Sequence, residues 1–238
     1  MKGNKIISVD LGTRKSAIAV MSYSNIIKVE SVHAYSYVSS SIFLNLAKTF
    51  IEDTDFNNLI VEIPRAPRGK ERISKEDFNK LNFFVEKFLE TAQKINKENP
   101  FSIYTSYATN KMGYANFKYN LEQVGWRQKL TGLARPNEKD IFYYIKNLEK
   151  NKEIEFSEEA LNAIYNNQSR RIFYDIIDAV GLGIAFFKYP TIFEEYNKED
   201  TATNISKPKN SLRKVIGKNL TEEEVNNIND ELYRIFCS

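Results

Sequence analysis

Cysteine is almost missing from this sequence. A single Cys237 in 238 residues excludes an internal disulfide and any cysteine-based zinc cluster, which suits a reducing compartment. There is no run of about eighteen apolar residues of the kind that spans a membrane. There is also no charged-then-apolar leader, so the chain is expected to be soluble and intracellular. Glycine is scarce, with nine residues, and no internal repeat or low-complexity tract occurs. Neither sign of charge dominates: 34 Lys and Arg against 31 Asp and Glu leave a net +3, which permits a polyanionic partner without requiring one. What remains is 42% hydrophobic and 27% charged, the composition of an ordinary globular protein with one sizeable core.

The first forty residues read as a β-meander. "KIISVDLG" is apolar and β-branched, "KSAIAVMSY" follows a tight turn, and "NIIKVESVHAYSYV" alternates as a third strand would. "SSSIFLNLAKTFIEDT" opens on serine caps and sets Leu44, Ala47 and Ile51 at helical spacing. "NNLIVEIP" is a short strand closed by proline. "SKEDFNKLNFFVEKFLETAQKIN" is the clearest helix, with a capping-box-like Ser74 and Asp77 and a stripe of Phe78, Leu81, Val85, Phe88 and Leu89. "FSIYTSY" is a fifth strand. A loop then leads to a helix starting near Asn137, another follows in "SEEALNAIYNNQ", and "IFYDIIDAVGLGIAFFKY" is a long, largely apolar one. The order βββαβαβα resembles that of the RNase H-like α/β fold, a mixed five-stranded sheet flanked by helices. Residues 1–190 are assigned to that domain. Residues 191–238 are assigned to a polar, basic linker with Lys207, Lys209, Arg213, Lys214 and Lys218, and to a C-terminal amphipathic helix with Val225, Ile228, Leu232 and Ile235 on one face.

Four carboxylates stand out. Asp10 ends the first strand and Glu62 nearly ends the fourth, two strands that are central neighbours in the RNase H-like arrangement. Asp175 and Asp178 lie one turn apart on the apolar last helix. Each has a bland alternative: Asp10 as a turn former before Gly12, the Asp175/Asp178 pair as partners of a helix N-terminus. Glu62 inside "LIVEIP" is harder to explain away, because glutamate is rare in a doubly buried strand. Together the four repel one another, and a divalent cation relieves that. Mg²⁺ suits hard oxygen ligands and phosphate substrates, and two such ions support in-line phosphodiester cleavage.

Three stretches now identify a candidate family. "SVDLGTRKSAIAV", "LIVEIP" and "YDIIDAVGLGIAFF" together resemble the RuvC-like Holliday junction resolvases of bacteria, phages and poxviruses, over residues 4–190. The resemblance matches Asp10, Glu62 and the Asp-x-x-Asp-Ala of Asp175, Asp178 and Ala179. "GWRQKLTGLARPNEKDI" is similar to the family's segment before the following helix, through Trp126, Lys129, Gly132 and Lys139. It implies a homodimeric endonuclease that nicks opposed strands of four-way DNA, with two Mg²⁺ ions (Mn²⁺ substituting) on Asp10, Glu62, Asp175 and Asp178. Lys139 is the added catalytic group. The sequence departs from the family's pattern at Gly181 and Gly183, in a long segment at 109–126, and in the basic tail.

Basic residues supply the expected DNA contacts. "PRAPRGKERISK" follows Glu62 with Arg65, Arg68, Lys70, Arg72 and Lys75, placed to hold phosphates beside the acids. "NKMGYANFKYN" mixes Lys111, Tyr114, Phe117, Lys118 and Tyr119, able to stack on unpaired bases. The DNA-binding set is Arg14, Lys15, Arg65, Arg68, Lys70, Arg72, Lys118, Trp126, Arg127 and Lys129. His33 reads as structural. Helix 75–97, with more aromatics than one stripe needs, is the expected dimer interface. The expected location is the cytoplasm or nucleoid, or, for a virus or phage protein, the host cell's DNA. Two alternatives remain: an RNase H-like nuclease acting on RNA or hybrids, and an actin-like ATPase, whose first phosphate loop also reads Asp-x-Gly-Thr. The ATPase needs a second Asp-Gly-rich loop that the sequence lacks. "GLGIAF" mimics a dinucleotide fingerprint but lies within a helix.

Overall fold

The computed structural model describes residues 4–12, 15–36, 40–64, 75–98, 100–108, 124–165 and 170–196. A central meander is formed by β1 (Asn4–Leu11), β2 (Lys15–Tyr23) and β3 (Ile27–Ser36), then α1 (Ser40–Asp53), β4 (Asn58–Ile63), α2 (Lys75–Asn96) and β5 (Ser102–Tyr107). There follow α3 (Trp126–Thr131), α4 (Glu138–Lys150), β6 (Ile154–Phe156), α5 (Glu158–Tyr165), α6 (Arg170–Lys188) and β7 (Glu194–Glu195). The sheet order is β6-β3-β2-β1-β4-β5-β7. β1, β2 and β3 pair antiparallel, while β4 and β5 join parallel to β1. This is the mixed α/β architecture expected, and no helix among the described residues is long and apolar enough to cross a membrane.

Three details correct the sequence reading. Among the described residues the sheet has seven strands rather than five. β6 adds parallel to β3, and β7 adds antiparallel to β5. Runs of three and two residues are too short for alternation to show in a sequence. β7 also falls inside the stretch read as linker, so the sheet extends past residue 190. Finally, the loop expected before Asn137 contains α3, which proves central to the site. Asn137 itself caps α4: its side chain accepts from the Lys139 N–H at 2.9 Å, and Asp140 reaches back to the Asn137 N–H at 2.8 Å. Ser74, expected to cap α2, lies outside the described residues, as does the C-terminal basic stretch.

Alternation along the strands divides the interior into two cores. Ile7, Val9, Leu59 and Val61 face α1 and α2, with Phe43, Phe84 and Phe88 between them. Phe84 and Phe88 are therefore core residues, which removes much of the aromatic excess that marked α2 as an interface. Ile6, Ala19, Met21 and Ile60 face α3, α4, α5 and α6. On the first face His33 meets the Phe50 ring edge-on at 4.9 Å and burial lowers its pKa, in keeping with a structural role.

The α6 glycines are packing devices. A Cβ on Gly183 would lie 2.4 Å from Met21 Sδ and 3.0 Å from Ser8 Oγ. One on Gly181 would lie 2.7 Å from Ile141 Cγ2 and 2.8 Å from Trp126 Cζ3. Two bare positions within one turn let α6 sit directly on β1, β2 and α3. The departure from the family pattern at these positions thus reflects close approach, not a broken helix.

Candidate metal centre

The paired strands bring the first two acids together. Val9 pairs with Val61 in the parallel β1–β4 ladder, so Asp10 and Glu62 follow side by side at the strands' C-terminal ends. Period-two alternation puts both on the α6 face, in line with Ile6 and Ser8 on β1 and Ile60 on β4. Asp175 and Asp178 come down from α6. They lie beyond its first turn, which carries no acid, so a helix-terminus role for the pair is ruled out. Ser8 Oγ, fully buried two residues before Asp10, donates to the Ala179 carbonyl at 2.7 Å. That bond pins α6 over β1 next to Asp178.

Helix α3 completes the cluster. Its Arg127 N–H donates to the Ala108 carbonyl beyond β5 at 3.1 Å. The buried Gln128 side chain accepts from the Gly125 N–H at 3.2 Å and donates to the Ala134 carbonyl at 2.9 Å. So fixed, consecutive residues reach two acids: Trp126 Nε1 donates to Glu62 Oε2 at 2.8 Å, and Arg127 Nη2 to Asp178 Oδ2 at 2.8 Å. The Arg127 and Asp178 side chains are 17% and 6% exposed, so this is an interior ion pair. Lys15 Nζ on β2 stands 3.9 Å from Asp175 Oδ2.

The charges are unbalanced. Burial raises the Asp10 pKa well above the ordinary value, and the neighbouring charges of Glu62, Asp178 and Asp175 push it further, against the pull of Arg127. Asp178 is pushed up to about 8, first by burial, with Glu62, Glu138 and Asp175 adding to it and Arg127 opposing. Asp175 is raised by burial and Glu138, with Lys15 opposing. Burial works against the Arg127 charge, yet Asp178, Glu62, Asp10 and Glu138 outweigh it and raise its pKa. Among the described residues, Asp178 Oδ1, Asp175 Oδ2 and Arg127 Nε are buried without a hydrogen-bond partner. Orphaned polar atoms are rare in native interiors and call for an explanation.

These orphans bear on the cation the sequence implied. Two buried carboxylate oxygens accept no hydrogen bond among the described residues, one of them 3.9 Å from Lys15 Nζ, and the cluster is all hard oxygen, which fits Mg²⁺ or Mn²⁺. Among the described residues, however, no three acidic, His or Cys side chains form a ready-made cation cage. Arg127 occupies an Asp178 oxygen and Trp126 a Glu62 oxygen instead. The donors fit; one is shared with an internal cation.

No family model matches the chain, and no curated protein matches its sequence. Solved structures do. Thermus thermophilus RuvC aligns with a TM-score of 0.51 at 9% identity, over 81% of this chain and 99% of that one. The yeast mitochondrial Holliday junction resolvase Ydc2 aligns with a TM-score of 0.54 at 14% identity, over 79% of each chain. The chain has a RuvC-like fold.

Within this RuvC-like fold the expected residues fall into three groups. Asp10, Glu62, Asp175 and Asp178 gather at one end of the central strands, with Lys15 and Arg127 beside them. Trp126 does not fit its expected DNA contact: it is fully buried and serves Glu62 from inside. Lys129 lies with its ammonium 5.2 Å from the centre of the Tyr189 ring. Lys139 is exposed at the start of α4 and its side chain makes no ion pair among the described residues. The charge there that reaches Asp175, Asp178 and Arg127 is that of the preceding residue, Glu138. Arg14, Arg65, Arg68, Lys70, Arg72 and Lys118 lie outside the described residues. Sequence reading missed Ser8, Glu138 and the pairing roles of Trp126 and Arg127. A small polar residue two before Asp10 on the same strand face was the one available signal.

Proposed function

We propose that the chain is a metal-dependent, structure-selective DNA endonuclease that nicks opposed strands of four-way junctions. The observation that carries this reading is the convergence of four carboxylates, from β1, β4 and α6, with two buried oxygens that accept no hydrogen bond among the described residues. The RuvC-like fold supports it, since one of its solved neighbours is named a Holliday junction resolvase. Asp10, Glu62, Asp175 and Asp178 would hold two Mg²⁺ ions, with Mn²⁺ substituting. When bound, such ions activate water and stabilise the leaving oxygen of an in-line phosphodiester cleavage. Around them Trp126 fixes the direction of Glu62, and Ser8 fixes the height of α6. Lys15 and Lys129 present charge to phosphates, which positions DNA without reading its sequence. A chain with one such centre needs a second copy to nick two opposed strands, hence a homodimer.

The test is a substrate panel with Mg²⁺: a four-way junction, flaps, a linear duplex and an RNA–DNA hybrid. Paired symmetric nicks in the junction are expected. Asp10→Asn and Asp178→Asn should each abolish cleavage while leaving junction binding largely intact. Cleavage confined to the hybrid would replace this reading with an RNase H-type activity, and an uncut panel would refute both.

A further inference from the structure

Arg127 is a cation buried against the acids that a divalent ion would need. An ion pair that serves only to stabilise an interior is normally hydrogen-bonded throughout, because each unsatisfied buried charge is costly. This pair is not. Arg127 satisfies one oxygen of Asp178 at 2.8 Å, leaving Asp178 Oδ1, Asp175 Oδ2 and its own Nε without hydrogen-bond partners among the described residues. The guanidinium brings one positive charge to a group of four carboxylates, with Lys15 at 3.9 Å from Asp175 as its nearest help. Its backbone is held by Ala108, whereas its head has one hydrogen-bonded carboxylate oxygen and rests 5.3 Å from the centre of the Trp126 ring. Guanidinium is also more weakly hydrated than ammonium, so it can rest in such a pocket.

Resting on the metal-centre reading above, we infer that Arg127 is a resident stand-in for the divalent cation: it neutralises part of the acid cluster when no metal is bound, and metal binding requires its guanidinium to release Asp178 Oδ2. Two cations then compete for one carboxylate. Arg127 lowers metal affinity and stabilises the metal-free fold, so removing it must move these two quantities in opposite directions. A purely structural ion pair would change stability alone.

The chain carries its own reporter. Trp126 is the only tryptophan, and its indole N–H sits on Glu62, so Mn²⁺ arriving at the cluster quenches its fluorescence. The experiment titrates Mn²⁺ into EDTA-stripped full-length protein, for wild type, Arg127→Met and Arg127→Lys, and records melting with and without the metal. Arg127→Met is expected to melt lower than wild type in EDTA, to bind Mn²⁺ about tenfold tighter, and to gain more thermal stability on binding, the magnitude of an ordinary coupling between sites. Arg127→Lys should fall between the two. If Arg127→Met is unfolded in EDTA, Mn²⁺ should fold it. Wild type that binds Mn²⁺ with neither variant binding tighter overturns the inference and leaves the metal centre standing. Wild type that shows no saturable response to Mn²⁺ removes the metal centre, and the inference with it.

Discussion

Replacing Gly181 by alanine sets two effects against each other. Alanine in a helix interior is favoured over glycine by about 1 kcal/mol, so a surface site would be stabilised. At Gly181 the new methyl would meet Ile141 Cγ2 at 2.7 Å and Trp126 Cζ3 at 2.8 Å, both on fully buried side chains. Overpacking of this kind costs about 1–3 kcal/mol. The upper half of that range applies, because the indole cannot retreat without losing its 2.8 Å bond to Glu62. A net loss of about 1–2 kcal/mol follows, lowering Tm by about 3–6 °C in a domain of this size. Gly183→Ala is the internal control. Its closest obstacle is Met21 Sδ at 2.4 Å, on a side chain that readjusts easily, so its loss should be smaller. Thermal melts followed by circular dichroism and Trp126 emission check both. Gly181→Ala melting at or above wild type, or Gly183→Ala proving the worse of the two, would refute the packing argument.

Trp126→Phe removes the donor to Glu62, a hydrogen bond to a charged group worth about 1.5–3 kcal/mol. A comparable loss in urea stability is expected, together with a sharp drop in cleavage at unchanged junction binding; retention of both would remove the positioning role given to the indole. The metal-free protein should also respond to pH in a defined direction. Asp10 and Asp178 have raised pKa values in the fold, so the folded state keeps protons that the unfolded chain releases, and stability falls as pH rises. For Asp178 the window runs from its ordinary 3.8 to about 8. Urea midpoints in EDTA should therefore decline between pH 5 and pH 8, roughly that window, and saturating Mg²⁺ should flatten the decline. A midpoint that climbs in EDTA over the same range would contradict the burial and crowding assigned to these acids.

Glu62 was legible in the sequence because a glutamate inside "LIVEIP" violates a local rule, whereas Asp10, Asp175 and Asp178, each with an ordinary local explanation, were legible only in combination with it. The βββαβαβα order then placed them at one sheet end, and the β1–β4 register agrees. Helix α3 was not legible. Its six residues are too few for periodicity, and its stability comes from Gln128, which folds back onto Gly125 and Ala134, contacts invisible to spacing. For the same reason Trp126 looked like an exposed aromatic when it is a buried donor. Lys139 was chosen on the family resemblance alone, at a helix start where one position of helical rotation decides what reaches the acids. That rotation favours Glu138.

The substitution of contacts across α3 explains why the acids survive inside this fold. Four carboxylates at the ends of β1, β4 and along α6 are unstable neighbours, and Asp178 is only 4% exposed. Water cannot relieve such a group, so the protein must, and it does so from one short helix. Trp126 supplies a neutral donor to Glu62, and Arg127 supplies charge to Asp178. The two answers differ in consequence. An indole N–H directs one Glu62 oxygen without competing for the cluster's charge, whereas a guanidinium satisfies the same need as a divalent ion and stands in its way. A helix anchored through its backbone to Ala108 can hold the first residue rigid while the second lets go. The indole therefore belongs to the framework of the centre, and the guanidinium to its state.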